Sequence, residues 1–336
     1  MTSRRTSRIA CAASAFLAGC SEAPSTLTDY GAPGGKESAL GWFLVAVGSG
    51  IVLLIVILVL VASLRRRPPG HALMKPSHHN VRWIVMGGVV LPFVLLTATF
   101  FFTMGTLSAV ANPSTSPGVT IRVTGHQYWW EVQYAGRDPS ESFTTANELH
   151  IPVGVPVRLE LVAGDVIHSF WVPQLAGKAD LIPGQRNVMW IQAQRAGRYY
   201  GHCAEYCGAQ HANMEIYVIA ESQREFDAWR ERERRAAQSP AQMGDTSGYA
   251  VFQRVGCANC HTIRGTTAGG VVGPDLTHLA SRSTIGAGVL PNTRGNLAGW
   301  IANAQAIKPG VDMPTMGENI SPTDLQHLLA YLETLR

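Results

Sequence analysis

The stretch YGHCAEYCGAQHANM, residues 200–214, places Cys203, Cys207, His211 and Met214 in one short loop. Two cysteines so close form a disulfide, a metal clip or part of a redox site. A disulfide across this short a loop removes little chain entropy, and it leaves His211 and Met214 without a role. A tetrahedral zinc would take Cys203, Cys207, His211 and one further His. That leaves Met214 idle, because a thioether is a poor zinc ligand and a good copper ligand.

The further His lies upstream. His168 stands in GDVIHSFWVP, at the end of a strand-like segment. One His on a strand plus a Cys, His and Met loop is the donor set of a cupredoxin-type copper site. Here the loop carries a second Cys, and two thiolates can bridge two copper ions. The surrounding residues, 112–221, alternate as strands do in VTIRVTGHQYWWEVQY, ELHIPVGVPVRLELVAGDVIHSFWVP and NVMWIQAQ, with Gly and Pro between. Short strands at this spacing predict an all-β antiparallel sandwich or Greek-key barrel.

Beyond this domain, residues 222–235 read as a charged, solvated helix in a linker spanning 222–247. Residues 248–336 form a small helical domain. It contains Cys257-Ala258-Asn259-Cys260-His261, the C-x-x-C-H signature of covalent haem attachment. Two thiols reach two haem vinyl groups, and the adjacent His lies beneath the iron. A zinc site would need a second cysteine pair, which is absent downstream. The second axial ligand is sought in KPGVDMPTMG, where Met313 and Met316 compete. His278 and His327 read as surface residues.

The N-terminal third differs. Only 15% of the 336 residues are charged, against about 25% in soluble domains, although 46% are hydrophobic. The deficit lies in two uncharged runs, about 40–64 and 83–110 within residues 39–111, each exceeding the roughly 20 residues that span a bilayer. Pro92 and Gly87-Gly88 interrupt the second run, which a membrane helix tolerates. The loop between them holds Arg65, Arg66, Arg67, Lys75 and Arg82 without an acid, so the positive-inside rule places it in the cytoplasm. Residues 1–19 have the layout of a secretory signal, basic and then briefly apolar. Leu17-Ala18-Gly19-Cys20 resembles a lipobox, which predicts lipidation of Cys20, and residues 20–38 read as a flexible tether. The net charge of +4, with no long Lys/Arg run, argues against nucleic acid as a partner.

Taken together the motifs resemble one family. The loop C-x-E-x-C-G-x-x-H-x-x-M, with G-H-Q-x-x-W (125–130), H-S-F-W-V-P (168–173), G-K-A-D-L-I-P-G (177–184) and Y-Y-G-H-C (199–203), is similar to the copper-A domain of cytochrome c oxidase subunit II. The last domain resembles class I cytochromes c, so the whole resembles the subunit II of oxidases with a fused cytochrome c. The resemblance implies a multi-domain chain of transmembrane hairpin, cupredoxin-like sandwich and all-α cytochrome domain. It implies that Cys203 and Cys207 bridge the binuclear copper, that His168 and His211 terminate it, and that Met214 and the Glu205 carbonyl are weak ligands. It assigns the Glu205 carboxylate to a magnesium shared with subunit I. It favours Met313 over Met316, and it gives the Pro274 carbonyl the task of orienting His261. His202 has no role in the pattern.

The implied function is electron entry to a haem-copper terminal oxidase of the bacterial inner membrane, with both redox domains on the periplasmic face. Subunits I and III and a cytochrome c or bc-type donor are the implied partners, together with membrane lipid. A tether would raise the haem domain's effective concentration to about the millimolar range. Two departures stand out. Tyr128 occupies the position of an electron-entry Trp, ahead of Trp129 and Trp130, and Asn80 stands where an acid opens a proton pathway. The copper-A subunit of a nitric oxide reductase and a periplasmic copper-binding or assembly protein are the alternatives; a quinol oxidase subunit lacks these copper ligands.

Overall fold

A computed structural model of the chain describes residues 25–65 and 78–336, except 29, 114, 137, 139–140, 240–241 and 243–245; the side chains of 78–80 are also undescribed. The expected signal (1–19), the lipidation site Cys20, the loop cations Arg66, Arg67 and Lys75, and the Asn80 side chain lie outside the described residues.

Helix α1 is Ala32–Leu64. A second helical run comprises α2 (His78–Val85), a π-helical turn Met86–Val90 at the Gly87-Gly88 pair, and α3 (Leu91–Ala111). Among the described residues, two helices are thus long and apolar enough to cross a membrane, and their apolar stretches are exposed. They meet through an edge-to-face contact of Phe43 with Phe102, centroids 5.0 Å apart. Residues 32–38, read from sequence as tether, instead form the first turns of α1. They are held there because Gly34 N–H donates to the Leu175 carbonyl at 3.0 Å and Ala32 N–H to Gln192 at 3.0 Å. Gly31 has no substitute at this seam, since a Cβ there would lie 2.0 Å from the Leu175 carbonyl oxygen. At the other end, the Trp190 indole donates to the Val110 carbonyl at 2.6 Å, fixing α3 to the β domain.

Among the described residues, ten strands make the β domain: β1 Val119–His126, β2 Trp129–Tyr134, β3 Phe143–Ala146, β4 Glu148–Pro152, β5 Val157–Ala163, β6 His168–Trp171, β7 Ala179–Leu181, β8 Asn187–Ile191, β9 Gly197–Cys203 and β10 Glu215–Glu221. They form two five-stranded sheets, ordered β3-β2-β1-β5-β8 and β4-β10-β9-β6-β7. The sheets are mixed rather than purely antiparallel, because β1 runs parallel to β5 and β4 parallel to β10. Alternation on β1 and β10 buries one face of each, and Trp130, Phe170, Leu159 and Ile216 fill the space between the sheets.

Helix α4 (Gln223–Arg234) starts at a capping box of Ser222 and Glu225. It is not the solvated helix its charge predicted. Phe226 is fully buried, and Trp229 stacks on His150 at 4.0 Å with Tyr134 at 5.1 Å. The cytochrome-like domain contains α5 (Ser247–Arg254), α6 (Arg294–Ile307), α7 (Pro322–Leu332) and a minimal hairpin, β11 Thr284–Ile285 with β12 Leu290–Pro291. Its core packs Phe252, Leu297, Ile301 and Leu329. His278 is buried and not at the surface: it lies between this domain and the linker, its Nε2 3.0 Å from the Arg235 carbonyl. His327 is exposed as expected.

Candidate functional site

Strands β6 and β9 are neighbours, with Phe170 opposite Cys203. That pairing carries His168, at the start of β6, to Cys203, at the end of β9. The chain then turns through Cys207 and a 3-10 turn, His211–Asn213, to Met214 ahead of β10. The Cys203 and Cys207 sulfurs stand 3.8 Å apart, too far for a disulfide. His168 Nδ1 lies 3.8 Å from Cys203 Sγ, and His211 Nδ1 3.7 Å from Cys207 Sγ. Met214 Sδ is 3.9 Å from Cys207 Sγ, and the Glu205 carbonyl oxygen is 3.2 Å from Cys203 Sγ. His168, Cys203, Cys207 and Met214 are buried.

Two thiols, two imidazole nitrogens, a thioether and a carbonyl around one centre exceed a tetrahedral zinc set and match soft copper chemistry. Hydrogen bonding within the thiol pair, then to His168 and backbone, pulls Cys203 down to about 3 despite burial. The same pair interaction pushes Cys207 up. A metal bound through both sulfurs must displace the thiol protons.

One participant escaped the sequence reading. Asp165 Oδ1 lies 2.7 Å from His168 Nε2, and the carboxylate also accepts from the backbone N–H groups of Gln127 and Val166, both at 2.6 Å. Burial alone would raise Asp165, but these bonds outweigh it and hold it below the usual carboxylate range. With the proton on Nε2 donated to Asp165, the Nδ1 lone pair faces the sulfurs, which is how an outer partner orients a metal-binding His. The only signal in the sequence was an acid three residues before His168. Burial alone would lower His168, yet its bonds to Cys203 and Asp165 leave it raised.

The Glu205 carboxylate turns outward and pairs with Lys178 Nζ at 3.2 Å. His202 points away from the sulfurs, packing against Trp171 at 5.1 Å. Trp130 is fully buried, edge-on to His168, and its indole approaches the Met214 carbonyl at 3.4 Å. Trp129 stacks on His126 at 4.6 Å. Tyr128 is nearly buried, and its hydroxyl accepts from Ala209 N–H at 3.0 Å. Gly208 keeps this contact open: its φ is +125°, and a Cβ would lie 2.5 Å from that hydroxyl.

The second centre is a large apolar cavity lined by Cys257, Cys260, His261, Met313 and Met316. His261 Nδ1 stands 2.7 Å from the Pro274 carbonyl, so a proton there is donated and Nε2 is free. Burial pulls His261 down, favouring the neutral ring. Gly273 lets the following loop close over His261, since a Cβ would lie 2.6 Å from the ring. The guanidinium of Arg282 lines the cavity with a buried Nε that has no partner, and the buried Thr284 hydroxyl there also lacks one. An apolar cavity that places a guanidinium with one unsatisfied N–H at its wall suits a flat macrocycle bearing carboxylates, so the residues fit haem. Both methionines reach this cavity. Its remaining wall comes from the β domain, from Gln127, Tyr128, Trp129 and Asn147.

A cupredoxin-like sandwich with a two-thiol metal cradle, facing a haem-type cavity in a cytochrome c fold, defines a two-centre electron-transfer protein. Two family models match: "Cytochrome C oxidase subunit II, periplasmic domain" over residues 119–221 and "Cytochrome c" over residues 246–336. Cytochrome c oxidase subunit 2 of Alkalihalophilus pseudofirmus is 37% identical over 296 residues, covering 85% of this chain and 82% of that one. The Bacillus subtilis subunit 2 is 26% identical over 344 residues, covering 96% and 94%. The solved periplasmic domain of subunit II from Bradyrhizobium japonicum is 31% identical, with a TM-score of 0.34, and covers 36% of this chain and 96% of that one. The chain belongs to the cytochrome c oxidase subunit II family, in the form that carries a cytochrome c domain.

Proposed function

We propose that the chain is the electron-entry subunit of a terminal oxidase that reduces oxygen to water, receiving electrons at a covalent haem c and relaying them by a binuclear copper A to haem in subunit I. The observation that carries this reading is the cradle itself: two thiols 3.8 Å apart, each with its own imidazole within 3.8 Å. When bound, the copper pair and the haem supply reversible one-electron storage, and sharing charge over two metals limits rearrangement.

The chain's residues supply the holding. Cys203, Cys207, His168 and His211 would hold the copper pair through their sulfurs and Nδ1 atoms, with Met214 and the Glu205 carbonyl as weaker ligands. Asp165 keeps His168 in the metal-binding tautomer. Cys257 and Cys260 would anchor the haem, His261 and Met313 would ligate its iron, and the Pro274 carbonyl orients His261. Burial of the cradle excludes water. Of the electron-transfer aromatics, Tyr128 and Trp129 wall the haem-type cavity, and Trp130 stands behind them against His168. The Glu205 carboxylate, paired with Lys178 here, would hold a magnesium at the subunit I interface, where a hard cation accepts few protein ligands.

In this reading the helices α1 and α2–α3 span a bacterial inner membrane, the loop holding Arg65 and Arg82 is cytoplasmic, and Cys20 is lipidated. Both redox domains then face the periplasm, where a cytochrome c or bc-type complex is the donor and subunits I and III are the neighbours. Purification of the intact membrane complex tests this. The expected outcome is co-purification with a haem-copper catalytic subunit that consumes oxygen on addition of reduced cytochrome c. A partner that reduces nitric oxide and not oxygen would overturn it.

A further inference from the structure

The two redox domains meet across a polar patch, and one residue dominates it. Lys308, in the Lys-Pro-Gly segment that follows α6, is 1% exposed. Its Nζ crosses the seam and donates to the Tyr128 carbonyl of the β domain at 2.8 Å and to the Gly286 carbonyl of its own domain at 2.9 Å. A buried ammonium is costly unless it is well hydrogen-bonded; here burial pushes Lys308 down to about 7, with partial relief from the Glu215 carboxylate. Of its two acceptors, the Tyr128 carbonyl lies on the other domain, 180 positions away.

The grip falls on a particular turn. Gln127 and Tyr128 connect β1 to β2 and line the haem-type cavity. The Gln127 side-chain amide donates to the Cys207 carbonyl at 2.6 Å, and the Tyr128 hydroxyl accepts from Ala209 N–H. The turn is therefore tied to the cysteine loop on one side and to Lys308 on the other. Around it, Gln210 Nε2 donates to the Pro309 carbonyl at 2.9 Å, Glu215 N–H donates to the Ala287 carbonyl at 3.0 Å, and Ser283 N–H donates to the buried Glu148 carboxylate at 2.8 Å. Close approach is built in: Gly288 sits where a Cβ would lie 2.5 Å from the Glu215 side chain.

We propose that Lys308 is a positioning residue that latches the cytochrome domain onto the Gln127–Tyr128 turn, so that the haem cavity and the cysteine loop are held in one fixed docking geometry for electron transfer. The transfer it serves moves one electron, oxidising the haem side and reducing the copper side, with no bond or proton exchanged. The docking itself stands on the interface; its kinetic consequence rests on the function proposed above.

The test is Lys308→Met in the full-length chain within the purified oxidase, which keeps length and removes every donor. Hydrogen exchange reports docking. Losing two buried hydrogen bonds raises opening of the seam by roughly ten- to a hundredfold, seen as faster exchange at residues 126–130 and 284–288 while β5 is unchanged. Flash-induced electron transfer between the two centres then slows, with haem and copper contents and both potentials unaltered. Exchange unchanged from wild type overturns the latch. Faster exchange with an unchanged transfer rate overturns the positioning role while leaving the proposed function intact. If Lys308→Met does not assemble, Lys308→Gln, whose shorter side chain cannot span the Tyr128 and Gly286 carbonyls, is read by the same two measurements and the same criteria.

Discussion

Replacing Asp165 by Asn tests how the copper cradle is organised. The carboxylate accepts three hydrogen bonds, from His168 Nε2, Val166 N–H and Gln127 N–H. Asn has one acceptor oxygen, so it cannot serve both sides. With its oxygen toward His168 and Val166, its NH2 opposes the Gln127 N–H. With the amide flipped, the NH2 donates to His168 Nε2 and drives the ring proton to Nδ1, the atom that faces Cys203 at 3.8 Å. Either state leaves a donor unsatisfied at a cost of about 1–3 kcal/mol. Loss of such an outer partner lowers metal affinity about ten- to a hundredfold, or roughly 1.4–2.8 kcal/mol. Competition with a copper chelator, followed by copper content after dialysis, reads this directly. Asp165→Asn retaining copper within about twofold of wild type would show that the carboxylate does not orient His168.

Other substitutions separate the remaining claims. Trp229→Ala removes the stack on His150 and opens a cavity, and it is expected to destabilise the β domain by about 3–5 kcal/mol in denaturant unfolding monitored by tryptophan fluorescence. Cys257→Ser together with Cys260→Ser is expected to abolish haem that survives a denaturing gel while leaving copper content unchanged. Met313→His is expected to lower the haem potential, because Met ligation raises it, whereas Met316→His leaves it in place; the reverse result would assign the ligand to Met316. Gly208→Val drives a side chain into the Tyr128 hydroxyl, and the expected loss of copper is read by metal analysis.

The chemistry was readable in the sequence because it is local. Cys203, Cys207, His211 and Met214 share one loop, and Cys257, Cys260 and His261 share one turn, so their spacing is their geometry. The long uncharged runs were readable for the same reason, as length and composition alone bound them. What the sequence concealed is relational. Asp165 matters because strand pairing carries it and His168 to the cysteines. Helix α4 looked solvated because charges surround its Phe226 and Trp229, and only the fold shows which face they take. His278 looked like a surface residue until the linker covered it, and residues 32–38 looked like a tether until Leu175 supplied their partner. Lys308 and Tyr128 are 180 positions apart, a separation at which no periodicity or motif reports a contact.

The central claim is that the two thiols hold one pair of coppers and not a single ion. Electron paramagnetic resonance of the oxidised, intact chain measures it most directly. The expected spectrum is a copper hyperfine pattern of one unpaired electron shared equally by two nuclei, lost when Cys203 or Cys207 is replaced by Ser. A pattern from a single copper nucleus in the unaltered chain would contradict it.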